Sequence, residues 1–207
     1  MTTDLTSSIT PDFHSILSQT AIAYREGSKP PKADVVVNAL LQAEKYAKQQ
    51  RLNYPFDSLM GKWRLCFVTG TKKIRKRGGI VLGKGFYMPK FASAHISFSI
   101  ITEQVLDRGE IGNQVQLGSI LLNLTGPAKY LGNKNLLAFD FTQMQISFSD
   151  RVVYNRQIRS GKTQTLDFDN QPIAKLPFFA FFLLTEDFIA ARGRGGGLAI
   201  WIKANPN

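Results

Sequence analysis

The chain has 207 residues, 43% of them hydrophobic, and carries 26 Lys and Arg against 15 Asp and Glu, a formal net charge of +11. This length fits one domain, and the apolar fraction suffices for a buried core, which excludes a wholly disordered basic tail. One cysteine excludes an intramolecular disulfide, and together with two histidines it is too few for a Cys/His zinc site. The apolar runs are far shorter than the roughly 20 residues of a membrane-spanning helix.

Residues 1–57 are predicted to be a helical lead-in that packs on the rest of the chain. Apolar residues recur there at helical spacing in two segments. The first segment is closed by Gly27, and the second is predicted to be a helix over Ala33–Gln50. Asn53–Pro55 then breaks the helical pattern.

From Gly61 onward the apolar period changes from 3.6 to 2. Trp63, Leu65 and Phe67 alternate with other residue types, and similar alternating segments follow, separated by turn clusters. About eight to ten strands and no helix are predicted over residues 58–207. Short connections between consecutive strands indicate an antiparallel up-and-down β-barrel, which leaves no exposed sheet edge. The predicted fold class is therefore mainly β, a barrel preceded by two α-helices.

Five large side chains at alternating strand positions are predicted to line the barrel interior or a ligand within it. They are Trp63, Phe67, Phe98, Phe139 and Phe148. An eight-stranded barrel contains either packed side chains or one small ligand, and the spacing does not distinguish these cases.

The positive charge is concentrated in one part of the chain. Residues 58–102 contain nine basic residues and no carboxylate. The run 72–77 is predicted to be a loop, and its like charges repel one another unless an anion is present. A membrane surface is favoured over nucleic acid as that anion, because the nearby aromatic residues alternate like core residues. The predicted anion-binding residues are Lys72, Lys73, Arg75, Lys76, Arg77, Lys84 and Lys90.

No group of residues has the pattern of a catalytic or metal site, and no enzyme activity is predicted. Cys66 is interpreted as an inert thiol that is buried or semi-buried, and His14 and His95 as residues without a catalytic partner. The acidic pairs Glu186–Asp187 and Asp167/Asp169 are typical of turns and strand ends. The glycine-rich run 192–197 precedes a strand instead of a helix, so it predicts a hairpin turn and not a phosphate-binding loop.

Two segments at opposite ends of the strand region resemble one family. Residues 59–70, LMGKWRLCFVTG, resemble the opening strand "L-x-G-x-W-x-L-x-Y/F-T-S" of the plastid lipid-associated protein (fibrillin) family. Residues 185–201, TEDFIAARGRGGGLAIW, resemble its closing segment "D-x-L-R-I-x-R-G-x-x-G-x-x-F-V".

This resemblance implies a lipocalin-like barrel associated with thylakoids or lipid globules. By position, Gly61 and Trp63 match the opening motif, and Trp63 is expected to plug one barrel end. Arg192 and Gly193 match the closing motif, and Arg192 is expected to stack on the Trp63 indole. The absence of a transit signature suggests a cyanobacterial protein or a trimmed plastid protein, peripheral to the membrane and not spanning it.

Three functional hypotheses follow. The first is a non-enzymatic protein that binds or organises apolar lipids such as carotenoids and prenylquinones, and that docks on anionic thylakoid lipids or lipid globules. The second is an interaction subunit with a packed, ligand-free barrel whose basic face meets an acidic protein of a photosynthetic or prenyl-lipid-synthesis complex. The third is a bilin lyase or pigment chaperone. Nucleic acid is not an expected partner, and no cofactor is predicted beyond a bound apolar lipid.

Overall fold

The computed structural model describes residues 12–74, 79–100, 107–158 and 168–204, and for residues 71–74 and 79–81 it describes the backbone alone. Two helices, α1 (Asp12–Glu26) and α2 (Ala33–Gln50), precede a short 3-10 turn at Phe56–Leu59. Eleven strands follow within these ranges, somewhat more than the eight to ten predicted. They are β1 (Gly61–Ile74), β2 (Gly79–Tyr87), β3 (Ala92–Ile100), β4 (Arg108–Leu117), β5 (Ile120–Leu131), β6 (Leu136–Phe139), β7 (Gln143–Phe148), β8 (Arg151–Gln157), β9 (Phe178–Leu184), β10 (Phe188–Gly193) and β11 (Leu198–Lys203).

Both helices end through residues in the left-handed region, which stops helical hydrogen bonding. Gly27 follows α1 with φ +76°, as the closing glycine in the sequence predicts. Arg51 follows α2 with φ 51°, and the next amide, that of Leu52, donates to Ala47 O at 3.0 Å. The α2 boundaries agree with the sequence prediction.

Eight antiparallel strands close into a barrel, as predicted. The pairing runs β1–β3–β4–β5–β6–β9–β10–β11, and β11 pairs with β1 again. Among these eight strands every neighbour in space is the next one along the chain, which is an up-and-down barrel.

The remaining three strands lie outside the closed circuit. Strand β2 forms a hairpin with β1 and has no pairing with β3. Strands β7 and β8 form a hairpin, and β7 pairs with the first half of β5. Together with the ends of β4 and β5, this hairpin makes a four-stranded extension, here called the flap, which projects beyond the barrel.

The run 72–77 was predicted to be a loop, but the structure extends β1 through Ile74 and begins β2 at Gly79. Lys72 and Lys73 pair in the backbone with Val81 and Ile80. Residues 75–78 lie outside the described ranges, as do the side chains of Lys72 and Lys73.

Two buried clusters lie on opposite sides of the barrel wall. The interior cluster contains Trp63, Phe98, Ile111 and Phe181. The outer cluster joins both helices to the outside of β1, β9, β10 and β11, where Leu17, Val36, Leu40 and Ile200 are fully buried. Strands β10 and β11 are therefore buried on both faces, which accounts for their nearly continuous apolar sequence.

A β-bulge in β1 corrects the prediction for Phe67. Leu65 pairs with Trp201 and Phe67 with Ile200, so Cys66 is an extra residue in this strand. The strict alternation predicted Phe67 on the same face as Trp63. Because a bulge shifts the alternation by one residue, Phe67 and Cys66 instead join the outer cluster beneath the helices.

Gly126 lies where β5 changes partner from β7 to β6. A Cβ there would lie 2.0 Å from Asp140 O and 2.9 Å from Thr142 N, both backbone atoms. The backbone that connects β6 to β7 therefore leaves this residue no room for a side chain. The glycine therefore permits the branch point between barrel and flap.

We predict that Gly126→Ala destabilises the fold by about 1–3 kcal/mol, because backbone atoms must move to admit the methyl group. Thermal unfolding should show a lower Tm than the natural chain. Gly70→Ala is the matched control, since a Cβ at that strand position meets no atom within 4 Å. Equal Tm values for the two variants would contradict the steric role of Gly126.

Candidate ligand site at the barrel mouth

An apolar cavity of about 370 Å³ lies at one end of the barrel. Its wall is formed mainly by aliphatic and aromatic side chains from the barrel strands, together with His95, Asn113 and two glycines. The lining residues are Leu65, Val68, Ala94, His95, Ile96, Asn113, Val115, Phe179, Gly193, Gly197, Leu198, Ala199 and Trp201.

The cavity lies where strands β1 and β3 diverge. They pair only between Gly61–Arg64 and His95–Phe98. Beyond Arg64, β1 bends at its bulge and pairs with β2 instead, from Phe67 onward. The first residues of β3 therefore lose their β1 neighbour, and the separation exposes the interior-facing side chains of both strands to the cavity.

The opposite end of the barrel is closed around Trp63, which is 1% exposed. Its indole N–H donates to Leu59 O at 2.8 Å, and Leu59 and Phe56 of the 3-10 turn belong to the interior cluster. The Lys203 ammonium lies 4.2 Å from the Trp63 ring centroid and donates to Met60 O at 3.0 Å. Trp63 therefore occupies a packed barrel end, the position expected from the resemblance.

Lys203, and not Arg192, supplies the cation at Trp63. The Arg192 guanidinium instead donates through Nε and Nη2 to both carboxylate oxygens of Glu44 on α2, the Nε contact at 2.8 Å. Its Nη1 donates to Gly196 O in the glycine turn. The expectation of Arg192 stacking on Trp63 is thus wrong, because a bidentate carboxylate on the covering helix holds the guanidinium outside the barrel.

The glycine-rich run forms the hairpin turn that the sequence predicts. Gly193 N–H donates to Gly197 O at 2.9 Å, and Gly196 has φ +87°. Gly193 and Gly197 also line the cavity. The Arg192–Glu44 pair therefore connects helix α2 to the rim of the mouth.

Only three of the five side chains predicted to line the barrel lie in its interior. Trp63, Phe98 and Phe139 lie in the interior cluster, whereas Phe67 lies in the outer one. Phe148 is 55% exposed on the flap, so it does not line the barrel. The prediction for Phe148 is wrong because β7 pairs with the first half of β5 outside the closed circuit, where no described strand lies opposite its inward face.

The predicted basic site is described only in part. Arg75, Lys76 and Arg77 lie outside the described residues. Lys84 and Lys90 are exposed, and the Lys90 ammonium lies beside Gly27 at the end of α1. These two lysines stand on β2 and on the connection between β2 and β3.

Most of the titratable side chains considered for catalysis are at least partly buried or engaged in ion pairs. Burial raises the pKa of the Cys66 thiol to about 12, so it is protonated at neutral pH, which agrees with the interpretation of an inert thiol. Burial, with Lys62 and Arg64 nearby, lowers the pKa of His95. Asp187 pairs with Arg25, and Asp169 with Arg108. Asp167 lies outside the described residues.

Sequence reasoning missed Lys203, Phe179 and Trp201. Trp201 lines the cavity and packs edge to face against Phe179, with ring centroids 5.4 Å apart. Both faces of β11 are apolar, so no polar alternation marks Trp201 as inward. A lysine at the end of an otherwise apolar strand was the available signal for Lys203.

No protein-family model matches the chain, and a search of curated proteins finds no match. None of the helices described by the structure is long and apolar enough to cross a membrane. Within those same residues, no three His, Cys, Asp or Glu side chains are grouped as metal ligands.

We predict that the Glu44–Arg192 pair contributes pH-dependent stability. The Arg192 hydrogen bonds hold the pKa of Glu44 below its ordinary value of 4.5. The ionised carboxylate therefore stabilises the fold above that value, and this stabilisation is lost as the pH falls through the folded-state pKa. Glu44→Gln should lower the free energy of unfolding at pH 7 by about 1–3 kcal/mol, with the difference shrinking in acid.

Denaturant unfolding of both proteins between neutral and acidic pH measures this difference. Lys48→Gln is the control, because the Lys48 side chain is 75% exposed and its ion pair with Glu44 lies at the surface. A Glu44→Gln penalty that is the same at every pH would contradict the assignment.

Proposed function

We propose that this protein is a non-enzymatic lipid-binding barrel of photosynthetic membranes or lipid globules. It takes part of an apolar lipid, such as a carotenoid or prenylquinone, into the cavity at its mouth. The observation that carries this proposal is the 370 Å³ cavity with its aliphatic and aromatic wall. Apolar pockets with a few polar groups are the usual form of small-molecule sites.

The cavity size favours a particular mode of binding. Ligand pockets commonly span about 300–1,000 Å³, and this cavity is near the lower limit. It suits a ring with the first part of an isoprenoid chain better than an entire carotenoid. The remaining chain would leave through the mouth.

Asn113 gives this mode a polar contact. Its side chain stands among apolar lining residues, between Ile96 and Leu124 in the cross-strand register. An amide can donate to a ring carbonyl and accept from a hydroxyl, so it suits both a quinone and its quinol. Such a contact would fix the orientation of the ring in the cavity.

Membrane attachment through the basic run 72–77 completes this proposal. The stretch 58–102 has nine cations and no carboxylate, and anionic headgroups attract such clusters by about 1 kcal/mol per basic residue. We propose a peripheral location on anionic thylakoid lipid or on lipid globules.

The second candidate function is an interaction subunit of a photosynthetic or prenyl-lipid-synthesis complex. Dense packing of the barrel below the cavity favours it, because Trp63, Phe98 and Ile111 fill that part of the interior. In this case the basic face would bind an acidic protein, and organic extraction of the purified protein would yield no pigment or quinone.

We predict that decylplastoquinone, a short-chain prenylquinone analogue, quenches the fluorescence of Trp201. The chain has two tryptophans, and Trp63 is packed at the opposite end, so Trp63→Phe isolates the cavity signal. Ala94→Leu in that background should weaken binding by about tenfold, because the larger side chain occupies the cavity.

Ser93→Leu is the matched control, since Ser93 neighbours Ala94 on the other face of β3 and does not line the cavity. Equal affinities for the two leucine variants would place the quinone elsewhere. Absence of quenching in the Trp63→Phe protein would count against an apolar ligand in the barrel.

We also predict that replacing the five basic residues of run 72–77 by Gln weakens flotation with phosphatidylglycerol vesicles by at least about tenfold at low salt. The control replaces the five basic residues of the helical lead-in that follow α1, namely Lys29, Lys32, Lys45, Lys48 and Arg51. Unchanged flotation of the 72–77 variant would refute docking through that run.

A further inference from the structure

The flap ends in two adjacent tight turns, and exposed apolar residues flank both of them. Gly118–Ser119 connects β4 to β5, and Ser149–Asp150 connects β7 to β8. Ser149 N–H donates to Ser119 O at 3.0 Å, which holds the turns side by side. Beside them Leu117, Ile120 and Phe148 are 54%, 49% and 55% exposed.

These residues form the first of two cross-strand rows on one face of the flap. Residues paired directly across antiparallel strands project from the same face of a sheet. The first row is Leu117, Ile120, Phe148 and Arg151, and the second is Val115, Leu122, Ile146 and Tyr154. The six aliphatic and phenylalanine residues of these rows are here called the apolar flap face.

The other face of the same strands is more polar, although Leu121 and Val152 also lie on it. Gln116, Asn123, Gln145 and Ser147 lie there by the same register. The flap is therefore amphipathic even though the described structure packs no core against its apolar face. An exposed apolar patch of this kind marks an interaction site.

The chemistry of its border indicates what that site contacts. Arg151, Tyr154 and Arg156 pair with Phe148, Ile146 and Met144, so β8 borders the apolar flap face with two cations and a phenol. All three are exposed. The flap strands β7 and β8 contain no carboxylate, and neither do residues 111–131; Asp150 stands in the turn between β7 and β8.

This arrangement matches the interface of an anionic bilayer. Apolar side chains enter the acyl region, tyrosine lies at headgroup level, and arginine extends its charge to the phosphates. The face is also continuous with the cavity, because Val115 belongs to the second row and Val115 and its β3 neighbour Ala94 both line the cavity.

We infer that the apolar flap face inserts into the headgroup region of an anionic lipid bilayer and brings the cavity mouth to the membrane. The inference rests on the proposed function, which supplies the membrane, and it adds an inserted apolar surface to the electrostatic docking proposed for the run 72–77. A lipid ring could then pass between bilayer and cavity along the second row without crossing water.

The test compares flotation of two triple variants with vesicles of phosphatidylcholine and phosphatidylglycerol. Leu117→Ser, Ile120→Ser and Phe148→Ser together should reduce binding by at least about tenfold. The matched control is Ile22→Ser, Leu41→Ser and Val152→Ser, which replaces residues that are 50%, 40% and 54% exposed and do not belong to the apolar flap face. Val152 pairs with Ser147, so it lies on the polar face of the flap.

A direct readout is fluorescence of Tyr154→Trp and Val152→Trp, each in a Trp63→Phe and Trp201→Phe background. Brominated phospholipid should quench the first and leave the second bright. Equal quenching, or equal flotation of the two triple variants, overturns the inference. So does a dimer of the natural chain that the flap triple variant abolishes without any effect on flotation, because a second copy then covers the face.

Decylplastoquinone quenching of Trp201, measured without vesicles, separates this inference from the proposed function. Loss of flotation in the flap triple variant with quenching retained supports both. Loss of flotation when the natural chain shows no quenching supports membrane insertion and refutes the apolar ligand. Retained flotation with quenching present refutes only the insertion of the flap.

Discussion

Strand β1 must pair with three neighbours, and its bulge at Cys66 makes this possible. Before the bulge the strand is held between β3 and β11, and after it between β2 and β11. The shift of one residue sends Phe67 outward to the helices and leaves Leu65 and Val68 facing inward at the point of divergence. One inserted residue thus determines three features of the fold. The barrel is closed at the Trp63 end, it is open at the mouth, and the helices pack against the outward-facing side chains of β1.

The helices complete the domain by covering the strands that the barrel cannot protect alone. Strands β10 and β11 are apolar on both faces, so without α1 and α2 their outer residues would meet water. Polar contacts fix this cover at its two ends. Glu44 holds Arg192 near the mouth, and at the other end the Asn135 side chain accepts from Tyr54 N–H and donates to Leu52 O. These groups fix the position of the helices on the barrel, and the burial of apolar side chains such as Leu17 and Leu40 stabilises the contact.

The sequence predicted the two helices, the barrel and the glycine turn because each has a local signal: a period, a left-handed residue or a turn cluster. It predicted Phe67 and Phe148 wrongly. Alternation shows that successive side chains project from opposite faces of a strand, but it shows neither where a bulge interrupts the pattern nor what packs against each face. A bulge redirected Phe67, and the departure of β7 from the barrel exposed Phe148. Trp201 was not identified because β11 has no polar face. The cavity itself arises from strand divergence, which no single segment encodes.

The two arginines of β8 also affect how copies of the chain interact with one another in solution. Among the described strands, β8 pairs on one side only, and its exposed residues include Val152, Val153 and Tyr154. Such an edge is a template for intermolecular β-pairing and amyloid-like stacking. Arg151 and Arg156 flank this apolar run as gatekeepers, since stacking copies in register would bring like charges together. The same cations would thereby keep the newly made chain from self-association while its apolar face is uncovered.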